Sequence, residues 1–125
     1  MNPKQECKKL INSFKYAIEG FISSFKTERN MKIHVLMMIL VIIAGMTFEI
    51  TKLEWILCMI LFGIVISAEL FNTAIETVVD IVMPEKNEKA KLAKDVSAGA
   101  VLVVSIASAI VGIIIFLPYL TKWLT

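Results

Sequence analysis

The chain has 125 residues, which is enough for one domain. It is 58% hydrophobic, with a mean hydropathy of +0.78. A water-soluble domain of this size cannot bury so much apolar surface, so the composition indicates an integral membrane protein. The net charge is only +2, and the basic residues lack the density and interleaved aromatics of a nucleic-acid surface; no nucleic-acid partner is expected. Cys7 and Cys58 belong to no paired motif, so neither a disulfide nor a metal site is expected of them.

Residues 5–27 are predicted to form an amphipathic helix. Large apolar side chains recur there at spacings of three and four, the period of one helix face: Leu10, Phe14, Ile18, Phe21, Ile22 and Phe25. Lysines and other polar residues occupy the opposite side. This pattern is typical of a helix lying in the membrane interface. The alternative is a helix packed on a soluble partner, which is less favoured because an apolar span follows at once.

Three apolar stretches predict membrane-spanning helices at residues 32–48, 53–82 and 95–121. At about 1.5 Å per residue, with tilt or snorkelling at the ends, each can cross a core of ~30 Å. His34 lies at the entry of the first span, where we interpret it as an interfacial polar residue without a role. Met83-Pro84 ends the second span. The prediction is a single all-α membrane domain over residues 1–125, with three transmembrane helices and an N-terminal amphipathic interfacial helix.

The distribution of basic residues predicts the orientation in the membrane. Eleven of the thirteen Lys and Arg residues lie before the first span or in the second loop. Because cytoplasmic segments carry the excess of positive charge, the N-terminus is expected in the cytoplasm and the C-terminus outside. The expected location is the cytoplasmic (inner) membrane, as a multi-pass protein.

The second span carries an unusual polar face near its end. With Glu69 at zero, a helical turn of about 100° per residue places Asn72 at about −60°, Glu76 at about −20° and Asp80 at about +20°. Ionisable side chains in a membrane-grade helix are energetically costly and indicate a functional site. Polar residues of this kind can instead serve simply as contacts between helices. Four of them on one stripe favour a functional site.

The depth of these residues indicates two kinds of chemistry. Glu69 falls about 24 Å along the span, at the inner edge of the hydrocarbon, where a carboxylate can act as general base toward a hydroxyl held nearby. Glu76 and Asp80 lie further out, where ionised carboxylates suit Mg²⁺ and its phosphate ligands. Glu28 adds a carboxylate at similar depth. Lys94 is predicted at the start of the third span, where the helix N-terminus also favours anions.

These groups together match the needs of a magnesium–nucleotide site. The Walker motif and the Gly-rich loop of soluble kinases are absent from the sequence. A membrane carboxylate can also serve a small proton-coupled transporter, which remains the alternative from another class. The clustering of the acidic residues toward one membrane face argues against a transport pathway.

The motif Glu69-x-x-Asn72-Thr73-Ala74-Ile75-Glu76-x-Val78-Val79-Asp80, followed by Ala93-Lys94-Asp95 and Ala100-Val101-Leu102, resembles the signature of the prokaryotic diacylglycerol kinase family. The likeness extends over nearly the whole chain. The family consists of small, three-span, homotrimeric lipid kinases unrelated to soluble kinases. The resemblance implies ATP-dependent transfer of the γ-phosphoryl group to a membrane lipid alcohol, with Mg²⁺ as cofactor.

The resemblance also implies individual roles. Glu69 would be the catalytic base and, with Ala98, would contact the lipid substrate. Glu28 and Glu76 would hold the metal. The residues expected to bind ATP are Tyr16, Glu28, Asn72, Glu76, Asp80, Glu85, Lys86, Asn87, Lys94 and Asp95.

Two branches of the family share this signature, one acting on diacylglycerol and the other on undecaprenol. The segments from Glu28 to His34 and from Lys94 to Leu102 are more similar to the undecaprenol branch. The second loop departs from that branch, because Glu88-Lys89-Ala90-Lys91-Leu92 replaces a His-Pro-Leu stretch. The sequence therefore predicts undecaprenol phosphorylation, with diacylglycerol kinase as the alternative.

Overall fold

A computed structural model describes all residues from 1 to 125 as four helices without any strand. The helices are α1 (Pro3–Thr27), α2 (Arg29–Phe48), α3 (Lys52–Val82) and α4 (Glu88–Leu124). Three of them, α2, α3 and α4, are long and apolar enough to cross a membrane. The expected all-α architecture with three spans and an N-terminal helix is confirmed.

Local sequence signals account for the ends of the helices. Asn2 and Gln5 form a capping box at the start of α1, and Thr51 and Glu54 form another at the start of α3. Glu49 adopts a left-handed conformation with φ of 52° after α2, which turns the chain tightly into α3. Helix α3 ends at Val82, immediately before Met83-Pro84, as the sequence predicts.

Helix α4 begins earlier than expected. Asn87 caps its N-terminus by accepting hydrogen bonds from the backbone N–H groups of Lys89 and Ala90. The charged segment read as a connection therefore forms the first turns of α4, because an N-capping residue and good helix formers outweigh its polarity. Lys94 lies about two turns inside the helix. The prediction that it sits beside free N–H groups at the helix start was wrong.

The helices pack mainly around α3. Helix α4 runs along much of α3, whereas α2 contacts α3 less extensively and α1 touches both α2 and α3 near its C-terminal end. Only 11 of the 125 residues are buried, so most apolar side chains face outward. That distribution is the one expected of helices surrounded by lipid or by further membrane helices.

The tightest packing lies at the end of the bundle near the α2–α3 turn. Ile50, Cys58 and Ile115 form a small buried cluster. Trp55 of α3 packs against Gly45 of α2 so closely that a Cβ on Gly45 would come within 2.6 Å of the indole ring. The Tyr119 hydroxyl of α4 donates a hydrogen bond to Glu54 of α3. These contacts join all three spanning helices at one end.

We expect Gly45→Val to destabilise the bundle, because the added side chain displaces the Trp55 ring. Overpacking of this kind costs about 1–3 kcal/mol. The matched control is Gly20→Val in α1, where no atom lies within 4 Å of an added Cβ. The measurement is the midpoint of unfolding in mixed micelles of increasing SDS fraction, followed by circular dichroism. Equal midpoints for both variants would contradict the packing role of Gly45.

Candidate active site

The polar face predicted on α3 is present and meets the other helices. Glu69 is 0% exposed and Asn72 is 5% exposed, although both lie on a helix of high hydropathy. Glu76 is half-buried and Asp80 is exposed. The face therefore passes from a fully enclosed carboxylate to an open one over eleven residues, or about 16 Å of helix.

Glu69 is the most enclosed polar side chain of the protein. Neither carboxylate oxygen has a hydrogen-bond partner. The nearest basic group is the imidazole of His34 on α2, whose Nε2 lies 3.6 Å from Oε2 of Glu69. Buried polar atoms are nearly always paired in folded proteins. An unpaired carboxylate in this position is an exception to that rule and points to a functional role.

Asn72 connects α3 to α4. Its side-chain oxygen accepts a hydrogen bond of 2.6 Å from the hydroxyl of the buried Ser97, and its amide nitrogen lies 3.5 Å from Oε1 of Glu76. With its oxygen facing Ser97, the amide group of Asn72 directs its N–H groups toward Glu76. This places Asn72 as a link between Glu76 and the third span.

Asp80 and Lys94 form an ion pair at the open end of the polar face. The side chains are 62% and 37% exposed respectively. Solvent-exposed pairs of this kind contribute little net stability. The Lys94 ammonium group can therefore exchange the Asp80 carboxylate for a phosphate oxygen at small cost.

The N-terminal helix joins this site from the side. The buried Ser24 hydroxyl lies 3.3 Å from the hydroxyl of Thr73, which donates to the backbone carbonyl of Glu69. Glu28 follows α1 as the single residue between α1 and α2 and is half-buried. Glu28 therefore lies about one helical turn beyond Ser24, at the end of α1 that contacts α3.

Several residues expected at the nucleotide lie further out. Tyr16 is 63% exposed on α1, about 12 Å along the helix from Ser24. Asp95 pairs with Lys91 along the outer side of α4 at 2.5 Å, rather than with the α3 face. Glu85 and Lys86 are exposed in the α3–α4 connection, and Ala98 is exposed on α4. The side chain of Asn87 is occupied in capping α4.

The carboxylates of the site can hold a hard divalent cation only if a bound substrate supplies further oxygen ligands. No group of three or more His, Cys, Asp and Glu side chains is arranged to hold a metal ion. Glu28 and Glu76 offer carboxylate oxygens, which Mg²⁺ prefers, and such sites commonly take their remaining ligands from water and substrate phosphates. These residues fit a metal that arrives with a nucleotide.

Two residues of the site were missed or undervalued at the sequence level. His34 was given no role, although it is the basic group nearest to Glu69. Ser97 was not singled out, although its hydroxyl is hydrogen-bonded to Asn72. A single histidine near a helix start and a serine in a small-residue helix give no periodic signal, so only the packing of α2 and α4 on α3 reveals them.

Comparison with known proteins identifies the family of this chain. The family profile of prokaryotic diacylglycerol kinase matches residues 15–116. The chain is 39% identical over 117 residues to the undecaprenol kinase of Bacillus subtilis, covering 94% of this chain and 95% of that protein. It is 38% identical over 118 residues to a diacylglycerol kinase of Synechocystis sp., covering 94% of this chain and 67% of that protein.

A third relative is the diacylglycerol kinase of Haemophilus influenzae, which is 37% identical over 105 residues and is covered to 86% of its length. The matches include α2, α3 and most of α4, and with them the polar face from Glu69 to Asp80. The family profile and the three helices able to span a membrane agree with one another. The chain therefore belongs to the prokaryotic diacylglycerol kinase family of membrane lipid kinases.

Proposed function

We propose that the protein transfers the γ-phosphoryl group of MgATP to the hydroxyl group of undecaprenol, forming undecaprenyl phosphate in the cytoplasmic membrane. The observation that carries the chemistry is the enclosed Glu69 carboxylate, with both oxygens unpaired, at the buried end of a polar face. The other end of that face opens at the Asp80–Lys94 pair. A lipid acceptor and a water-soluble donor can therefore approach from opposite ends.

In this proposal Glu69 accepts the proton of the lipid hydroxyl as the oxygen attacks phosphorus. Lys94 holds phosphate oxygens after leaving Asp80, and Asn72 keeps Glu76 in place. When bound, Mg²⁺ held by Glu28 and Glu76 would neutralise charge on the phosphates. Phosphoryl transfer depends mainly on positioning and on such charge stabilisation, so a few fixed side chains are sufficient.

The choice of undecaprenol is supported by the near-complete coverage of the Bacillus subtilis undecaprenol kinase in both directions. The similarity of the segments Glu28–His34 and Lys94–Leu102 to that branch supports it further. Diacylglycerol is the second candidate, because relatives of 38% and 37% identity are diacylglycerol kinases. Family membership gives no support to the proton-coupled transporter considered from the sequence.

We also propose a homotrimer with active sites completed by a neighbouring chain. One protomer buries few residues, brings together no three-residue metal group and leaves Tyr16 exposed. A second copy placed against the α3 face would enclose the nucleotide end of the site. The positive charge of the N-terminal segment and of the α3–α4 connection supports a cytoplasmic location for this end.

The substrate is tested with purified protein in lipid nanodiscs, supplied with γ-labelled ATP and Mg²⁺ and with either undecaprenol or diacylglycerol. We expect label in the lipid phase with both enzyme and lipid present, and a kcat/KM at least about tenfold higher for undecaprenol, equivalent to ~1.4 kcal/mol. Faster labelling of diacylglycerol would establish the second candidate. Absence of label in either lipid would refute the kinase proposal.

Glu69→Gln is expected to separate catalysis from nucleotide binding. Loss of a general base typically lowers kcat by about 10²–10⁴-fold, while the affinity for MgATP stays within about twofold because Glu69 lies at the lipid end. Lys94→Met is expected to weaken MgATP binding instead. Turnover and the binding of a fluorescent ATP analogue are the two measurements. Glu19→Gln, an exposed charge removal on α1, is the control and should match the wild type in both.

Mixtures of inactive chains test the shared site. Glu69→Gln and Glu76→Gln chains are unfolded, combined in varied ratios and refolded together. If the two residues act from different chains in one site, some sites in mixed trimers contain both wild-type residues and activity returns. Activity that stays absent at every ratio would show that Glu69 and Glu76 of one chain serve the same site, and would contradict a site that pairs these two residues across chains.

A further inference from the structure

His34 is the side chain that faces Glu69 from the neighbouring helix. Its Nε2 atom is 3.6 Å from Oε2 of Glu69, and its side chain is 18% exposed while that of Glu69 is 1% exposed. It lies on the second turn of α2, which crosses α3 at this level. It is also the only histidine of the chain.

The other charged and polar groups around Glu69 do not replace it as donors. Glu28, from the α1–α2 junction, and Glu76, from α3 itself, carry carboxylates, which when ionised accept hydrogen bonds and donate none. Asn72 lies close by, but its amide nitrogen faces Glu76 and its oxygen accepts from Ser97. Thr73 donates only to the backbone carbonyl of Glu69, and the cation from α4, Lys94, is held by Asp80.

We propose that His34 is a positioning residue for the catalytic base, an inference that rests on the proposed function of Glu69. In the substrate-bound protein the imidazole donates a hydrogen bond from Nε2 to Oε2 of Glu69. This bond sets the plane of the carboxylate and leaves Oε1 directed to the lipid hydroxyl. A carboxylate held by one oxygen has a single orientation for proton acceptance, whereas a free one rotates about its terminal torsion.

The present separation is slightly longer than a hydrogen bond, which requires about 3.2 Å or less for N–H···O. Catalytic hydrogen bonds are often long in the absence of substrate and shorten in the complex. The contact is thus expected to tighten when a lipid alcohol enters between α2 and α3.

The single histidine makes the contact directly observable. Protein labelled with ¹⁵N-histidine in nanodiscs contains one imidazole, so its two nitrogen resonances are assigned without ambiguity. We expect Nε2 to carry a proton and its chemical shift to move in Glu69→Gln. Asp80→Asn, which removes a charge about 16 Å along the same helix, should leave it unchanged. An unprotonated Nε2, or a resonance insensitive to Glu69→Gln, would overturn the proposal.

Kinetics test the consequence for catalysis. We expect His34→Leu to lower kcat at least about tenfold with the KM for MgATP within about twofold, because only the acceptor end of the site is disturbed. His34→Gln retains an N–H donor of similar reach and should recover at least about a third of the wild-type kcat. Met38→Leu, a volume-conserving change one turn along α2, is the control for packing and should keep wild-type activity.

Thermal unfolding of each variant identifies loss of fold, and activities are compared only among variants that melt like the wild type. If His34→Leu is unstable, the activity of His34→Gln and the NMR measurement test the proposal instead. Equal activity of His34→Leu and wild type would overturn the positioning role, as would equal loss in the Leu and Gln variants. If the wild-type protein phosphorylates no lipid, the kinase proposal fails and the role of His34 fails with it. If the wild type is active and His34 is dispensable, only the present inference fails.

Discussion

The enclosure of the Glu69 carboxylate between α2 and α3 is the constraint around which the other features of this membrane protein are arranged. Placing an ionisable group in apolar surroundings without hydrogen-bond partners is costly. Here the nearest basic group remains 3.6 Å away and neither oxygen is satisfied. Such an arrangement contributes nothing to stability, and it is consistent with a group held ready for a substrate hydroxyl.

The rest of the polar face changes in burial and in partners along α3. Asn72 is buried and tied to Ser97 on α4, whereas Asp80 is exposed and paired with Lys94. Since α4 supplies both Ser97 and Lys94, one helix pair supports the interior and the open end of the face. The side chains of the face therefore pass from enclosed to solvent-exposed. A reaction between a lipid acceptor and a soluble donor needs such a change in exposure.

The end of the bundle near the α2–α3 turn holds the spanning helices in a fixed position relative to one another. The tight turn at Glu49, the contact of Gly45 with Trp55 and the hydrogen bond from Tyr119 to Glu54 join α2, α3 and α4 there. Because helices are stiff, fixing their axial offsets at one end also determines which residues face one another at the other. A shift of one turn between α2 and α3 would move His34 by ~5.4 Å relative to Glu69.

The amino-acid sequence by itself determined the helices, their membrane-spanning character and the polar stripe from Glu69 to Asp80, because hydrophobic pattern and helical period act within one segment. It also placed the end of α3 at Met83-Pro84. The start of α4 was misplaced, since the polarity of the segment concealed the capping by Asn87. Only the tertiary structure decided the contacts of His34 with Glu69, of Ser97 with Asn72 and of Lys94 with Asp80. These depend on the rotation and axial offset of separate helices, which arise from packing between them and leave no periodic trace in any one of them.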